Sequence, residues 1–401
     1  MTHNASTYSR LSCVRIKAIR TAVPDIKICA ADESAFYTDP KKASRMDRLL
    51  GMGQRRICPP DVTASDLCVC AAEDMLKTHP EGRRADALIF VSQNPDWRQP
   101  PTACELQVRL GLPRECATFD VNQGCAGYVY GLWIAASLAA SKAADRILLL
   151  AGDAHTAGRD RANRVTAPVF GDGGSATLIE RDSAASEMLF GIGTDGKGFE
   201  EIITPAGGAR IPFLFDEAQN AVLVEPVMDP GGNPWRLVDT WMNGGKVFDF
   251  TMRVVPAHLK AMMQFAGNPE IGALMLHQAN RHIVESIATR AGFPRSMAPA
   301  TAFEKYGNLA VASIPSQICE SYGTSPLPEN LLLCGYGIGF SWASCLLRPD
   351  GMDCAPPIEF RADPKRKTRA ERIGRWLEVF RGRKEGVGAH ITGSDRDGET
   401  P

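Results

Sequence analysis

The chain has 401 residues, 45 Lys and Arg against 46 Asp and Glu, a formal charge of −1 and 44% hydrophobic residues. That length is ample for two α/β units around a large buried core, and the near-zero charge argues against a protein that holds nucleic acid by bulk electrostatics. No N-terminal stretch has the continuous apolar core of a secretory signal and no apolar run approaches membrane-spanning length, so a cytoplasmic protein with twelve reduced cysteines is expected.

Residues 1–12 read as a loose, flexible start. Cys68-Val-Cys70 lies in a helix-like stretch, is too closely spaced for a tetrahedral zinc pair and has no second pair nearby, so no metal site is expected. Ala87-Leu-Ile-Phe-Val-Ser-Gln-Asn94 reads as an apolar strand, and the amphipathic helix after it closes on Leu106-Gln-Val-Arg-Leu-Gly111. Next, the β-prone Ala117-Thr-Phe119 leads through Asp-Val-Asn-Gln-Gly-Cys125 into Ala126-Gly-Tyr-Val-Tyr-Gly-Leu-Trp-Ile-Ala-Ala-Ser-Leu138, a buried helix. A cysteine between strand and helix sits at the helix N-terminus, where unpaired N–H groups and the dipole stabilise a thiolate. The same amides can hold the oxyanion formed when that sulfur attacks a thioester.

Further on, Ala273-Leu-Met-Leu-His277 reads as a buried strand closed by a histidine, and Arg281-His-Ile-Val-Glu-Ser-Ile-Ala-Thr-Arg-Ala-Gly292 as the helix after it. Asn308 follows a glycine at the head of an Ala/Val-rich segment, in Phe303-Glu-Lys-Tyr-Gly-Asn-Leu-Ala-Val-Ala-Ser-Ile-Pro315. Taken alone, each is ordinary, a core histidine or a turn. Cys, His and Asn at three strand-to-helix turns can meet at one end of one core. They suit one chemistry: the thiolate takes an acyl group, and imidazole N–H and amide stabilise the enolate left when a malonyl group loses carbon dioxide. A cysteine protease also uses Cys, His and Asn, with the histidine as base, and no family-specific protease signature is present.

Five blocks in order resemble β-ketoacyl-acyl carrier protein synthase III, of the thiolase superfamily, over roughly Val14 to Leu347. They are Gly-Cys-Ala-Gly, Phe170-Gly-Asp-Gly-Gly-Ser-Ala-Thr177, His-Gln-Ala-Asn280, Tyr-Gly-Asn with Ala-Ser-Ile-Pro, and Cys334-Gly-Tyr-Gly-Ile-Gly-Phe-Ser-Trp342. The resemblance implies an α/β, thiolase-like fold of two similar βαβ-type halves in a five-layer α-β-α-β-α arrangement. The likeness of Ala87–Asn94 to Ala273–Asn280, each about thirty residues before Cys125 or Asn308, corroborates two related halves. The expected units are a start 1–12, an N-terminal half 13–185 carrying the cysteine, a C-terminal half 186–350 carrying His and Asn with an insertion 202–241, and a basic tail 351–401.

The implied roles place Cys125 as nucleophile, His277 and Asn308 as decarboxylation donors, and the backbone N–H groups of Cys125 and Ile338 as the oxyanion hole. Arg164 matches a nucleotide-contacting position, Gly244 and Phe248 are expected to line the tunnel entrance, and Asn280 and Arg281 are expected to contact substrate or carrier, with His282 at the place the family often makes basic. Implied substrates are acyl-CoA or acyl-acyl carrier protein, with acyl carrier protein as partner, a homodimer capped through Asn94–Pro101, and no cofactor. The family's N-terminal adenine-stacking tryptophan has no counterpart, Asp47 and Arg48 occupying that region, and Leu309-Ala310 replaces the commoner Thr-Ser. These departures look more like an accessory or specialised-pathway condensing enzyme. Two other readings are acyl transfer to an oxygen or nitrogen nucleophile without decarboxylation, and a non-catalytic partner subunit of a condensing heterodimer.

The insertion is rich in Pro and Gly, and its Phe213, Phe215 and Trp235 suggest an ordered cap. In the tail, ten Lys and Arg face four Asp and Glu between Phe360 and Glu385, and Ile373, Trp376, Leu377 and Phe380 fall on one face of a short helix. That helix either packs on the body or docks an acidic partner or a membrane surface.

Overall fold

The computed structural model describes residues 6–29, 48–156, 163 and 165–382. Among these residues, most strands belong to two large sheets, with three two-stranded ribbons besides. Val14–Pro24 (β2), Ala87–Val91 (β3), Ala117–Val121 (β4), Arg146–Asp153 (β5) and Gly173–Arg181 (β6) build the first, in the order β2-β6-β5-β3-β4. Thr7–Leu11 (β1), Met188–Thr194 (β7), Ala273–Leu276 (β8), Leu331–Gly337 (β9) and Ser341–Leu347 (β10) build the second, in the order β1-β7-β10-β9-β8. β3, β8, β9 and β10 are buried at every position, as strands covered on both faces must be.

The sheets repeat one pattern. In the first, β3 runs parallel to β5, while β5–β6 and β6–β2 are antiparallel. In the second, β8 runs parallel to β9, while β9–β10 and β10–β7 are antiparallel. β3 and β8 are therefore equivalent strands of two related halves. Between the sheets lie Gly127–Ala140 (α3) and Ser313–Tyr322 (α8, which follows the short helix Thr301–Tyr306, α7), α3 and α8 being joined to both by one apolar cluster. α3 is apolar nearly all round, which suits a helix enclosed on every side. Ala64–Thr78 (α1) and Thr102–Arg109 (α2) cover the outer face of the first sheet, and Gly244–Ala266 (α5) and Arg281–Ala291 (α6) that of the second. The five layers are those the resemblance implies.

Both ends of the chain differ from expectation. Residues 7–11, read as part of a loose start, are β1, antiparallel to β7. The strand is held by side chains that alternation in five residues does not reveal: the Tyr8 ring packs on Phe265 at 5.0 Å, and Ser6 Oγ meets His258 Nδ1 at 2.9 Å and accepts from Trp342 Nε1 at 2.9 Å. Beyond residue 350, Asp353–Cys354 (β11) and Ile358–Phe360 (β12) pair in parallel with β2, so part of the expected tail completes the first sheet. Arg369–Gly382 (α9) follows. Arg366 pairs with Asp66, Arg369 N–H donates to Asp61 at 2.7 Å and Trp376 meets Trp97 edge-on at 6.3 Å, leaving a cleft of about 520 Å³ beneath the helix. Residues 383–401 of the expected tail lie outside the described residues.

The insertion is closed at its base, where Ile202–Ile203 pairs with Trp241–Met242, and carries one short helix, Glu217–Val224 (α4). Of the three aromatic residues expected to order it, Trp235 is half-buried, donating to Asp229 at 3.0 Å, while Phe213 and Phe215 face solvent.

Candidate active site

Cys125 stands between β4 and α3, two residues before the first helical residue, half-buried. Its neighbour across the halves is Gly337, at the end of β9. A Cβ on Gly337 would lie 2.8 Å from both Cβ and Sγ of Cys125, and the backbone there has φ 152°, which L side chains rarely adopt. Glycine is thus required twice, by conformation and by the sulfur. Ile338 follows at once in a 3₁₀ turn, and its side chain closes on Gly124.

His277 is the first residue past β8 and is 2% exposed. Its N–H donates to the Cys334 carbonyl at 2.9 Å, and its carbonyl accepts from Tyr336 O–H at 3.0 Å, so the backbone is held on both sides. The Tyr336 ring stands edge-on to the imidazole at 5.5 Å. Burial pulls the imidazole pKa down from 6.5 to about 4, opposed by the Ala310 backbone and the Asp153 charge. The ring is therefore neutral at working pH. Nδ1 is buried and has no hydrogen-bond partner among the described residues.

Asn308 is reached through Gly307, whose φ of 81° lies in the left-handed region. The Asn308 N–H donates to Val169 at 2.9 Å, its carbonyl accepts from Gly171 at 3.1 Å, and its Oδ1 accepts from Ala310 N–H at 2.9 Å. With Oδ1 committed to its own turn, the amide presents Nδ2, a donor. Ala310 has φ 47°, a strained value for a residue with a Cβ, so the turn is held against its own preference.

Cys125, His277, Asn308 and Ile338 line one cavity of about 160 Å³. Asn280 also lines it, although its Oδ1 is spent capping α6 through Ile283 N–H at 2.9 Å. Three expected residues stand elsewhere. Gly244 begins α5 in the open, and Phe248 lines the neighbouring groove, stacked on His282 at 6.3 Å; the α5 face toward the cavity is Val247 and Thr251. Arg281 pairs with Glu304 and packs against Gly51. Arg164 and Asp47 lie outside the described residues.

The sequence reading missed several cavity residues. Ile202, Thr240 and Met242 come from the base of the insertion and roof the cavity. Gln93 and His155 come from the first half: Gln93 stands two residues past β3, opposite Ala279 in the repeat, another residue of the cavity wall, and that repeat was the available signal. His155 lies two residues past β5 and gave none. Among the described residues, no group of three or more His, Cys, Asp or Glu could hold a metal ion, and no helix is long and apolar enough to cross a membrane.

The family model described as 3-Oxoacyl-[acyl-carrier-protein (ACP)] synthase III matches residues 119–196, and its C-terminal counterpart matches residues 266–349. A Campylobacter jejuni protein that bears the name 3-oxoacyl-[acyl-carrier-protein] synthase 3 is 34% identical over 346 residues, spanning 84% of this chain and 95% of the relative. A Rhodopirellula baltica β-ketoacyl-[acyl-carrier-protein] synthase III is 29% identical over 365 residues, spanning 84% and 99%. The crystal structure of a 3-oxoacyl-(acyl-carrier protein) synthase from Burkholderia xenovorans LB400 superposes with a TM-score of 0.80 at 32% identity, covering 89% of this chain and 99% of that one. The priming β-ketosynthase of the R1128 polyketide pathway shares the fold, with a TM-score of 0.70 at 22% identity.

Proposed function

The chain belongs to the 3-oxoacyl-[acyl-carrier-protein] synthase III family of the thiolase superfamily, and from that premise we propose how its cavity divides the work. The enzyme is an acyltransferase that condenses an acyl group with a malonyl thioester, releasing carbon dioxide. Cys125 thiolate attacks the donor thioester, the backbone N–H groups of Cys125 and Ile338 hold the oxyanion, and the donor thiol leaves. A malonyl thioester then takes the donor's place. Its C–C bond breaks, carbon dioxide departs, and the enolate oxygen accepts from His277 Nε2–H and Asn308 Nδ2–H. The carbanion attacks the acyl-Cys125 carbonyl, a β-ketoacyl thioester forms, and the Cys125 thiolate returns.

The observation that carries this reading is the neutral, buried His277. An imidazole held near pKa 4 is a poor base at neutral pH and a sound donor. The proton belongs on Nε2, because an unpaired lone pair on buried Nδ1 costs less than an unpaired N–H there. Acyl transfer to an oxygen or nitrogen nucleophile would want His277 as base, and a non-catalytic subunit would need none of the three residues so arranged. The donor is an acyl-CoA or acyl-carrier protein, malonyl carrier protein is the acceptor, and a second copy completes a homodimer in the cytoplasm. The cationic cleft under α9, with Arg366, Arg369, Arg372 and Arg375, serves as a dock for the acidic carrier. Cutting the chain after Phe360 then raises KM for carrier-bound substrate and leaves KM for CoA substrates alone; equal KM values with the carrier would remove the dock.

The test of the chemistry is intact mass after incubation with acyl-CoAs and acyl-carrier proteins, beside Cys125→Ala. An adduct on the native protein alone, discharged by malonyl carrier with carbon dioxide release, is expected. An adduct that malonyl substrates cannot discharge would sink the decarboxylating reading in favour of transfer to another nucleophile.

A further inference from the structure

Beside the Asn308 turn, two polar side chains of the first half, Gln93 and His155, reach the Cys125 cavity. Asp153, fully buried at the end of β5, accepts from Ser92 O–H at 3.1 Å, Gln93 N–H at 2.8 Å, Gln93 Nε2–H at 3.3 Å and Val311 N–H at 3.3 Å. It thereby fixes the Gln93 side chain with the amide nitrogen turned away and Oε1 left as an acceptor. That oxygen lies against the residue before the nucleophile: a Cβ on Gly124 would be 2.7 Å from it. The His155 ring is held in the same cluster, Nε2 standing 3.7 Å from Asp153 Oδ2 and 3.5 Å from Gln93 Nε2, with its edge against Phe170 at 5.7 Å. Gln93 and His155 both line the cavity.

Two polar side chains facing a bound hydrocarbon chain would lose water and gain no hydrogen bond, a cost a pocket for plain alkyl groups avoids with apolar walls. A carboxylate on the acyl chain would be repelled by Asp153 immediately behind them. An ammonium group would be drawn by the same charge but would need three acceptors, and Asp153 already takes four hydrogen bonds, which leaves Gln93 Oε1 and at most one ring nitrogen of His155. A neutral hydroxyl suits the site: it donates to Gln93 Oε1 and pairs with the His155 ring in either tautomer.

We infer that Gln93 and His155 form a polar subsite for the acyl group, selecting a starter that carries a hydroxyl within the first few carbons of its thioester, a 3-hydroxyacyl thioester being the simplest. The inference rests on Cys125 as the acyl acceptor. Asp153 is the positioning residue that aims both side chains.

The experiment compares 3-hydroxybutyryl-CoA with butyryl-CoA as acyl donors, reading kcat/KM for Cys125 acylation by intact mass in the native protein, His155→Leu, His155→Gln and Gln93→Leu. The native enzyme is expected to favour the hydroxylated donor by about tenfold or more, because a site built to bind a hydroxyl leaves its own polar groups unpaired when the hydroxyl is missing. His155→Leu and Gln93→Leu reduce that ratio at least about tenfold, and His155→Gln, which keeps a hydrogen-bonding group, retains most of it. A native preference for butyryl overturns the inference and spares the reading of Cys125. So does a uniform loss on both donors in the leucine variants, the signature of mere structural support. If neither donor labels Cys125, while Cys125→Ala behaves identically, the acyl-acceptor reading itself falls and the subsite with it.

Discussion

The amide of Asn308 is aimed by one hydrogen bond, from Ala310 N–H to its Oδ1, and that bond decides which half of the side chain a ligand meets. Asn308→Asp keeps the acceptor toward Ala310 and replaces the donor with a carboxylate oxygen facing the enolate. Malonyl decarboxylation should fall by roughly 10²–10³, the usual cost of losing one oxyanion donor, while acylation of Cys125 continues. Equal loss in both steps would assign Asn308 to support of the cavity. The residue types and their strand-to-helix turns were legible in the sequence, because Cys125, His277 and Asn308 each follow a distinctive local pattern. The aiming was not: it depends on Ala310 at φ 47°, a conformation that no propensity rule gives to alanine. His155 was illegible for a related reason, since a histidine past a strand means little until the fold sets it beside Asp153 and Cys125.

Among the elements, the turn after β9 is the most constrained. Gly337→Ala must force φ 152° on a residue with a Cβ and push that Cβ to 2.8 Å from the nucleophile. About 2 kcal/mol or more of stability should be lost through strain alone, read from chemical denaturation. Acylation should fall further than the folded fraction does; a variant that acylates normally would mean that the Ile338 turn has another way to settle. Long apolar runs such as β3 and β9 announced themselves, since burial on both faces leaves a continuous hydrophobic signature. β1, β11 and β12 did not. Each spans five residues or fewer, and their order comes from partners far along the chain. On α5, the resemblance to a tunnel-lining helix pointed to Phe248, whereas the fold turns Val247 and Thr251 to the cavity; a rotation of 100° per residue separates the two faces, and sequence alone does not set the zero.

At the scale of the whole molecule, two buried histidines make stability depend on pH. His258, wedged between Ser6 Oγ at 2.9 Å and Ser344 Oγ at 2.8 Å, is held by burial at about 4, like His277. Above pH 6.5 neither state binds these protons and there is no effect. Below it the unfolded chain takes up protons that the native state refuses, so stability falls as pH drops, until the native rings protonate near pH 4. Each histidine contributes a loss of about 3 kcal/mol across that window, at 1.36 kcal/mol per unit. His258→Gln should lower the slope of unfolding free energy against pH by about one proton's worth between pH 4 and 6.5; an unaltered slope would place the proton uptake elsewhere. The same assembly has an interlocked chain. β1, the N-terminal strand, lies on the sheet of the C-terminal half, and β11 and β12, near the other end, close the outer edge of β2 in the first. During translation β2 leaves the ribosome among the first strands, and the strands that cover its edge are among the last. From the time β6 pairs with β2 until residues 353–360 emerge, the other edge of this eleven-residue strand is unpaired, the kind of surface to which other chains add. Until Ile358–Phe360 arrives, the Ala22–Pro24 end of that edge has no strand to cover it, and a cut before Ile358 should leave the folded protein prone to edge-to-edge association, read by light scattering.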